Sequence, residues 1–223
     1  LQHGHYGEWY SNPLTLKPIS DFAGVWGEQA KEIMEKYSVN TKVVKTGTSR
    51  FSVLEKLYSD ALAEVLLETI LKVSADPKRP IVLFCAQAFV KLYAHSSPYE
   101  MNQMLDRVLK EFSSQDEFQL IVRLHPFTGY FEDADVKKTI LDKYVSPSII
   151  VDPGLHISEA LAVSDIVISH ESTTIIEAIS LGIPVVELTV PGKINSMRFH
   201  GHTLRIPPED APHDIDTHMS VIE

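Results

Sequence analysis

Five short runs rich in β-branched and other apolar residues punctuate the middle of the chain: Ile81 to Ala86, Leu120 to Leu124, Ile149 to Asp152, Ile166 to Ser169 and Val185 to Leu188. Continuous apolar runs of this length read as strands buried on both faces, which is how parallel strands appear in sequence. Between them, apolar positions recur at helical spacing over Tyr99–Phe112, Asp133–Tyr144, His156–Val163 and Thr173–Leu181. Strand and helix alternate five times, so the fold class expected is α/β: a doubly wound, Rossmann-like parallel sheet with helices on both faces. Upstream, Ala23–Trp26 reads as a strand, Glu28–Tyr37 as an amphipathic helix and Lys42–Thr46 as a strand ending at Gly47, the tail of a separate βαβ unit. A helical pattern over Phe51–Ser74 is broken by Ala-Asp-Pro-Lys-Arg-Pro. These breaks divide the chain into residues 1–75, the end of an N-terminal α/β domain with a linker helix, and residues 76–223, a nucleotide-binding Rossmann-like domain. Ile206–His218, rich in Pro, Asp and His without periodicity, reads as loop.

Composition narrows the classes. With 44% hydrophobic and 22% charged residues among 223, the chain is expected to be globular, and no apolar run approaches the roughly 20 residues that span a bilayer. The net charge of −10 argues against a broad nucleic-acid surface while leaving room for a local cationic cleft. One cysteine, Cys85, cannot form an intramolecular disulfide, which fits a reducing cytoplasm, and its place in an apolar run suits a buried hydrophobe better than a nucleophile. Leu-Gln-His-Gly at the start lacks the basic and apolar regions of a signal peptide and reads as the end of a strand, as if cut from a longer protein.

Candidate chemistry follows from the fold, because ligands of open α/β sheets sit beyond the carboxyl ends of the strands. His170-Glu171-Ser172-Thr173-Thr174 leaves one strand and opens a helix, so free backbone N–H groups, the positive end of the helix dipole and three hydroxyls converge where a phosphate could bind. The plain alternative is an N-cap by Ser172. Glu177, one turn further, can accept hydrogen bonds from a ribose diol or can simply complement the dipole. Period-2 alternation sends Arg123 and His125 to one face of their strand end, where His125 could donate to a leaving phosphate. Asp152, Gly154 and His156 form a loop suited to a base edge, with Asp152 equally readable as a turn residue. His3 and Gly4 near the start, and Gly47 and Thr48 after the second strand, are candidates for the other wall of a cleft, His3 as a base. The 10 His residues show no metal-ligand spacing, and no metal is expected. Neither GxGxxG, GxxxxGK[ST] nor GxSxG occurs, which removes the main support for a dinucleotide dehydrogenase, a P-loop NTPase or an α/β-hydrolase.

The stretch VDPGLHISEALAVSDIVISHESTTIIEAISLGIPVVEL resembles the donor-binding half of GT-B glycosyltransferases, in which a loop, an (S/A)D strand entry, a Ser/Thr-rich turn and an EA…G.P helix follow in this order. RLHP resembles the HP element of bacterial capsule and surface-polysaccharide transferases. LQHG, GVWGEQAKEIMEKY and KTGTSRF resemble elements of that group and of CDP-glycerol glycerophosphotransferases. The resemblance covers most of Leu1–Val190. It implies a cytoplasmic enzyme, at the inner face of the membrane or peripherally associated with it through a missing region. That enzyme transfers a sugar or polyol phosphate from a nucleotide-sugar or CDP-polyol donor to a saccharide or polymer acceptor, with no cofactor or metal. By position it places Arg123, His125, His170, Ser172, Thr173 and Thr174 on the donor phosphates, Glu177 on the ribose and His3 as the acceptor-side base. Two departures matter. The DSGG turn and EE pair of the UDP-N-acetylglucosamine 2-epimerases are replaced by His170-Glu171-Ser172-Thr173 and a single Glu177, which disfavours an epimerase. No acidic pair followed by Gly matches the sialyltransferases, which argues against a CMP-sialic acid donor. The alternatives kept are a nucleotide-sugar 2-epimerase and a noncatalytic nucleotide-sugar-binding module.

Overall fold

The computed structural model describes residues 21–37, 40–52, 79–86, 98–125, 140–151, 155–170, 172–188 and 203–206. The first elements are strand β1 (Phe22–Val25), helix α1 (Glu28–Tyr37) and strand β2 (Lys42–Lys45). β1 and β2 pair in parallel, Phe22 with Lys42 and Val25 with Lys45, so the segment is a βαβ unit. The reason is visible in α1, whose Ala30, Ile33 and Met34 fall on one stripe and close over Val25 and Val43. Gly47, at φ 65°, turns the chain after β2 in a conformation that an L side chain adopts only with strain.

The second body is a six-stranded, all-parallel sheet. Its elements are β3 (Ile81–Cys85), α2 (Pro98–Ser113), β4 (Gln119–Arg123), a 3-10 turn (Leu141–Tyr144), β5 (Ile149–Val151), α3 (Ile157–Ala162), β6 (Ile166–Ser169), α4 (Thr173–Ser180), β7 (Val185–Leu188) and β8 (Thr203–Ile206). The spatial order β5-β4-β3-β6-β7-β8 means that the chain builds outward from β3 to β5, returns to the other side of β3, and builds outward again. This is the doubly wound Rossmann order, with a topological switch point between β3 and β6.

Every residue of β3, β6 and β7 is buried, as strands covered on both faces must be. Alternation splits them between two cores. Val82, Phe84, Val122, Ile168 and Val186 meet Leu105, Leu109 and Phe112 of α2 on one face. Leu83, Cys85, Ile121, Val167 and Val185 meet Ala160 and Leu161 of α3 and Ile175 and Ala178 of α4 on the other. α4 ends at Leu181, and Gly182 at φ 75° turns the chain toward Pro184 and β7.

The five strands read from the sequence are present within one or two residues of the expected bounds, and so are α1, α2, α3 and α4. Two expectations are corrected. Leu141–Tyr144, read as the end of an α-helix, forms a 3-10 turn instead, and its Tyr144 hydroxyl and Lys143 Nζ both donate to Asp106 of α2. Ile206, read as loop, ends a sixth strand whose Thr203 lies opposite Val185 of β7. A four-residue strand with an Arg in it carries too little apolar pattern to register, and it is the pairing with β7 that makes it a strand. The remainder of the two long helical patterns, residues 53–74 and 133–139, and the expected domain boundary at residue 75 lie outside the described residues.

Candidate functional site

The carboxyl ends of the strands carry one row of chemistry. Strand register sets Arg123 of β4 opposite Cys85 of β3, Cys85 opposite Ser169 of β6, and Ser169 opposite Glu187 of β7. In a parallel sheet, residues in register point to the same face, here the face of α3 and α4. The row therefore straddles the switch point, beneath the first turn of α4.

α4 starts at Ser172, which has extended dihedrals (φ −109°, ψ 145°) and caps the helix: its Oγ accepts from the Thr174 N–H at 3.3 Å and donates to Thr174 Oγ1 at 3.2 Å. Both readings of Ser172 are compatible, since one cap bond satisfies one of the several N–H groups a helix N-terminus leaves open. Thr174 is buried, whereas Ser172 and Thr173 are half-buried. The floor below is Cys85, whose thiol burial pushes up to about 12. The Thr174 hydroxyl and the Arg123 charge pull it down, and the Glu177 charge adds to the rise. Cys85 thus belongs to the core, as its sequence context suggested, and it marks how closely Thr174, Arg123 and Glu177 gather around it. Ser169 Oγ donates to the Cys85 carbonyl at 3.1 Å and locks the two central strand ends together.

Glu177 lies fully buried on α4. Its Oε1 forms an ion pair with Nε of Arg50, which arrives from the turn after β2 in the N-terminal unit. Apart from this contact, neither Glu177 oxygen has a partner among the described residues. Burial raises the carboxyl's pKa above its usual range; the Arg50 charge works against the rise.

Arg123 does not point freely into the site: its guanidinium donates to the Leu155 carbonyl and pins the segment leading into α3. His125 sits half-buried just beyond, its pKa lowered first by burial and then by the Arg123 charge, so the ring is neutral at pH 7. A neutral imidazole can still donate one hydrogen bond. His170 is buried at 4% exposure, and its Nδ1 donates to the Leu188 carbonyl at 2.7 Å. That bond fixes the turn between β6 and α4 against the end of β7. His156 caps α3: its Nδ1 accepts from Ser158 N–H at 3.4 Å, while Glu159 Oε2 accepts from the His156 N–H at 2.6 Å. This is a capping box with imidazole in place of the usual hydroxyl.

The structure therefore gathers Arg123, His125, Ser172, Thr173, Thr174 and Glu177 at one edge and gives His156 and His170 roles in holding backbone. Gly47 and Thr48 stand in the turn that delivers Arg50, where Thr48 Oγ1 accepts from the Arg50 N–H at 3.3 Å. His3, Gly4, Asp152, Gly154 and Glu171 lie outside the described residues. Ser164 and Asp165, the strand-entry pair, are at the opposite edge of the sheet. Asp165 Oδ2 accepts from the Ile81 N–H at 2.7 Å and ties β6 to β3, while Ser164 Oγ donates back to the Ala160 carbonyl of α3, so neither has a place at the ligand edge. Sequence reasoning missed Glu187 and Arg50. Glu187 was detectable as a carboxylate inside a strand whose neighbours demand burial, and it is completely buried. Arg50 stood only inside the KTGTSRF stretch, and its pairing with Glu177 had no local signal, because the two are 127 residues apart along the chain. Among the described residues there is no group of three or more His, Cys, Asp or Glu side chains that could hold a metal ion, and no helix long and apolar enough to cross a membrane.

No protein-family model matches the chain, and neither does any curated protein. Solved structures do. A UDP-N-acetylglucosamine 2-epimerase superposes with a TM-score of 0.56 at 16% identity over 91% of this chain and 49% of the other. The wall teichoic acid polymerase TagF superposes with a TM-score of 0.54 at 16% identity over 89% of this chain and 48% of its own. A family 9 glycosyl transferase from Veillonella parvula covers 93% of this chain and 68% of its own, at 14% identity and a TM-score of 0.49. The chain spans about half the length of the first two. The likeness is one of fold: the architecture is the Rossmann-like α/β sheet of GT-B proteins, as the sequence resemblance implied.

Proposed function

We propose that this chain is the nucleotide-binding part of a GT-B transferase that moves a sugar or polyol phosphate from a nucleotide-activated donor to a surface-polysaccharide acceptor. The observation that carries the reading is the convergence, at the switch point, of the capped N-terminus of α4 with Arg123, His125 and Glu177. Rossmann sheets bind nucleotides at this place, and helix N-termini bind their phosphates. The donor diphosphate is assigned to the Ser172–Thr174 turn and the ribose diol to Glu177. His125, neutral at pH 7, donates to the leaving phosphate as negative charge develops on it. The reaction is attack by an acceptor hydroxyl on the activated carbon or phosphorus, with His3 taking the proton. Charge on the leaving nucleotide is met by backbone N–H groups and His125 without a metal. The acceptor side belongs to the N-terminal unit, with Gly47 and Thr48 in its wall, and Asp152, Gly154 and His156 are assigned to the base. The enzyme would work in the cytoplasm, at the inner face of the membrane.

A thermal-shift screen with UDP, CDP, CMP and GDP tests this reading, because a ligand that binds only the folded state stabilises it by RT ln(1 + [L]/Kd). A shift with at least one diphosphate, lost in Ser172→Asp, is expected. No shift with any of the four at millimolar concentration would remove the nucleotide-binding assignment. Incubating the protein with UDP-N-acetylglucosamine and no acceptor separates the transferase from an epimerase, which alone would yield a new sugar.

A further inference from the structure

A fully buried carboxylate needs donors, since one left bare in a protein interior costs several kcal/mol. Among the described residues Glu177 has a single charged partner, Arg50, and it meets only Oε1. Oε2 is equally buried and accepts from nothing among the described residues. Arg50 is half-exposed and belongs to the other structural unit, carried on the turn after β2. Next to it, Phe51 packs against the α3–α4 side of the sheet and meets Trp26 edge-to-face at 6.0 Å between ring centres. The turn is therefore docked on the second domain by apolar contact as well as by charge.

From this arrangement we infer that Arg50 is a positioning residue for Glu177: it holds Oε1 and leaves Oε2 as the acceptor for a ligand hydroxyl. The site is then composite, complete only when the N-terminal unit is docked. This rests on the nucleotide reading for the identity of the hydroxyl, a ribose diol, though the Arg50–Glu177 relation itself does not. Burial pushes Glu177 toward its neutral form, and Arg50 is the charge that opposes it. The other titratable groups on the elements packed around α4 cannot replace it. Arg123 on β4 commits its guanidinium to the Leu155 carbonyl, Cys85 on β3 is a thiol held protonated, His170 spends its Nδ1 on Leu188, and Glu187 on β7 is itself a carboxyl group. A protonated Glu177 would present a donor as well as an acceptor and lose its preference for a pair of hydroxyls.

The test has two arms. In the first, protein labelled with 13C at the glutamate carboxyl carbons is titrated by NMR, with Glu177→Gln identifying the Glu177 signal. Arg50→Gln is expected to raise the midpoint of that signal by about one pH unit or more, the smaller end of what an adjacent opposite charge does, and Arg50→Lys to restore most of it. An unchanged midpoint in Arg50→Gln overturns the inference, whether or not any nucleotide binds. Circular dichroism checks that the variants fold, and Arg50→Met, which also removes the charge, serves if Arg50→Gln does not. In the second arm, calorimetry compares UDP with 2′,3′-dideoxy-UDP, and CDP with its dideoxy analogue, at pH 7. Arg50→Gln should lose the preference for the diol to the same extent as Glu177→Gln, and the double variant should lose no more. Retention of the full preference in Arg50→Gln also overturns the inference. Absence of binding by any diphosphate to the unaltered protein would instead remove the nucleotide reading, and the titration would still decide the role of Arg50.

Discussion

Ser172 carries two jobs that a single substitution can separate. As an N-cap its Oγ accepts from the Thr174 N–H at 3.3 Å, toward the long end for such a bond. Ser172→Ala removes it and should cost about 1 kcal/mol or a little less of unfolding free energy. Ser172→Asp keeps a good cap and even complements the helix dipole, so stability should stay within about 0.5 kcal/mol of the parent. The same Asp puts a negative charge where a phosphate is expected. At about 4 Å and an effective dielectric near 20, two like charges repel by on the order of 4 kcal/mol, and screening still leaves at least a tenfold loss of affinity. Urea unfolding monitored by circular dichroism measures the first quantity, and calorimetry with whichever of UDP, CDP or GDP binds measures the second. An Asp variant that is stable and binds the diphosphate as tightly as the parent would refute anion binding at α4. An Ala variant of unchanged stability would refute the cap.

Four further outcomes are expected. His125→Ala should lower kcat/KM for transfer by roughly 10²-fold, as for other lost hydrogen-bond donors to a developing anion, and a drop of less than about threefold would exclude that role. Because the folded state depresses the pKa of His125, its contribution to stability is complete above the unfolded value of about 6.5 and is lost as pH falls through the folded value. His125→Asn should therefore flatten the stability profile on the acid side of pH 6.5. Cys85, buried and with its thiol at about 12, should react with Ellman's reagent at pH 8 only as fast as the protein unfolds, and prompt labelling of the native state would contradict its burial. Gly182→Ala meets no atom within 4 Å of the added Cβ, so its cost is that of φ 75° alone, about 1–2 kcal/mol by urea unfolding. Gly182→Asn should recover part of it.

How much of this was legible beforehand depends on the range of the interaction involved. β3, β6 and β7 announce themselves because burial on both faces requires mostly apolar residues, and α4 announces itself through Ser172 at its start and Gly182 at its end. β8 did not, since TLRI is a strand only by its bonds to β7. Likewise the turn at Ser172 could be read as an anion site from local chemistry, while the pinning of Arg123 to Leu155 and of His170 to Leu188 could not. Those bonds join β4 to the segment after β5 and the end of β6 to the end of β7, neighbours that only the assembled sheet places side by side.

The sequence by itself determined the doubly wound α/β class, the order of strands and helices, and the edge at which ligands are expected. Each of these follows from periodicity and end signals within about 20 residues of chain. Only the tertiary structure decided that Arg123, Cys85, Ser169 and Glu187 share one row, and that Arg50 of the N-terminal unit meets Glu177 of α4. Strand register and an ion pair between residues far apart in the chain are set by how whole faces pack, and no local pattern of side chains encodes them.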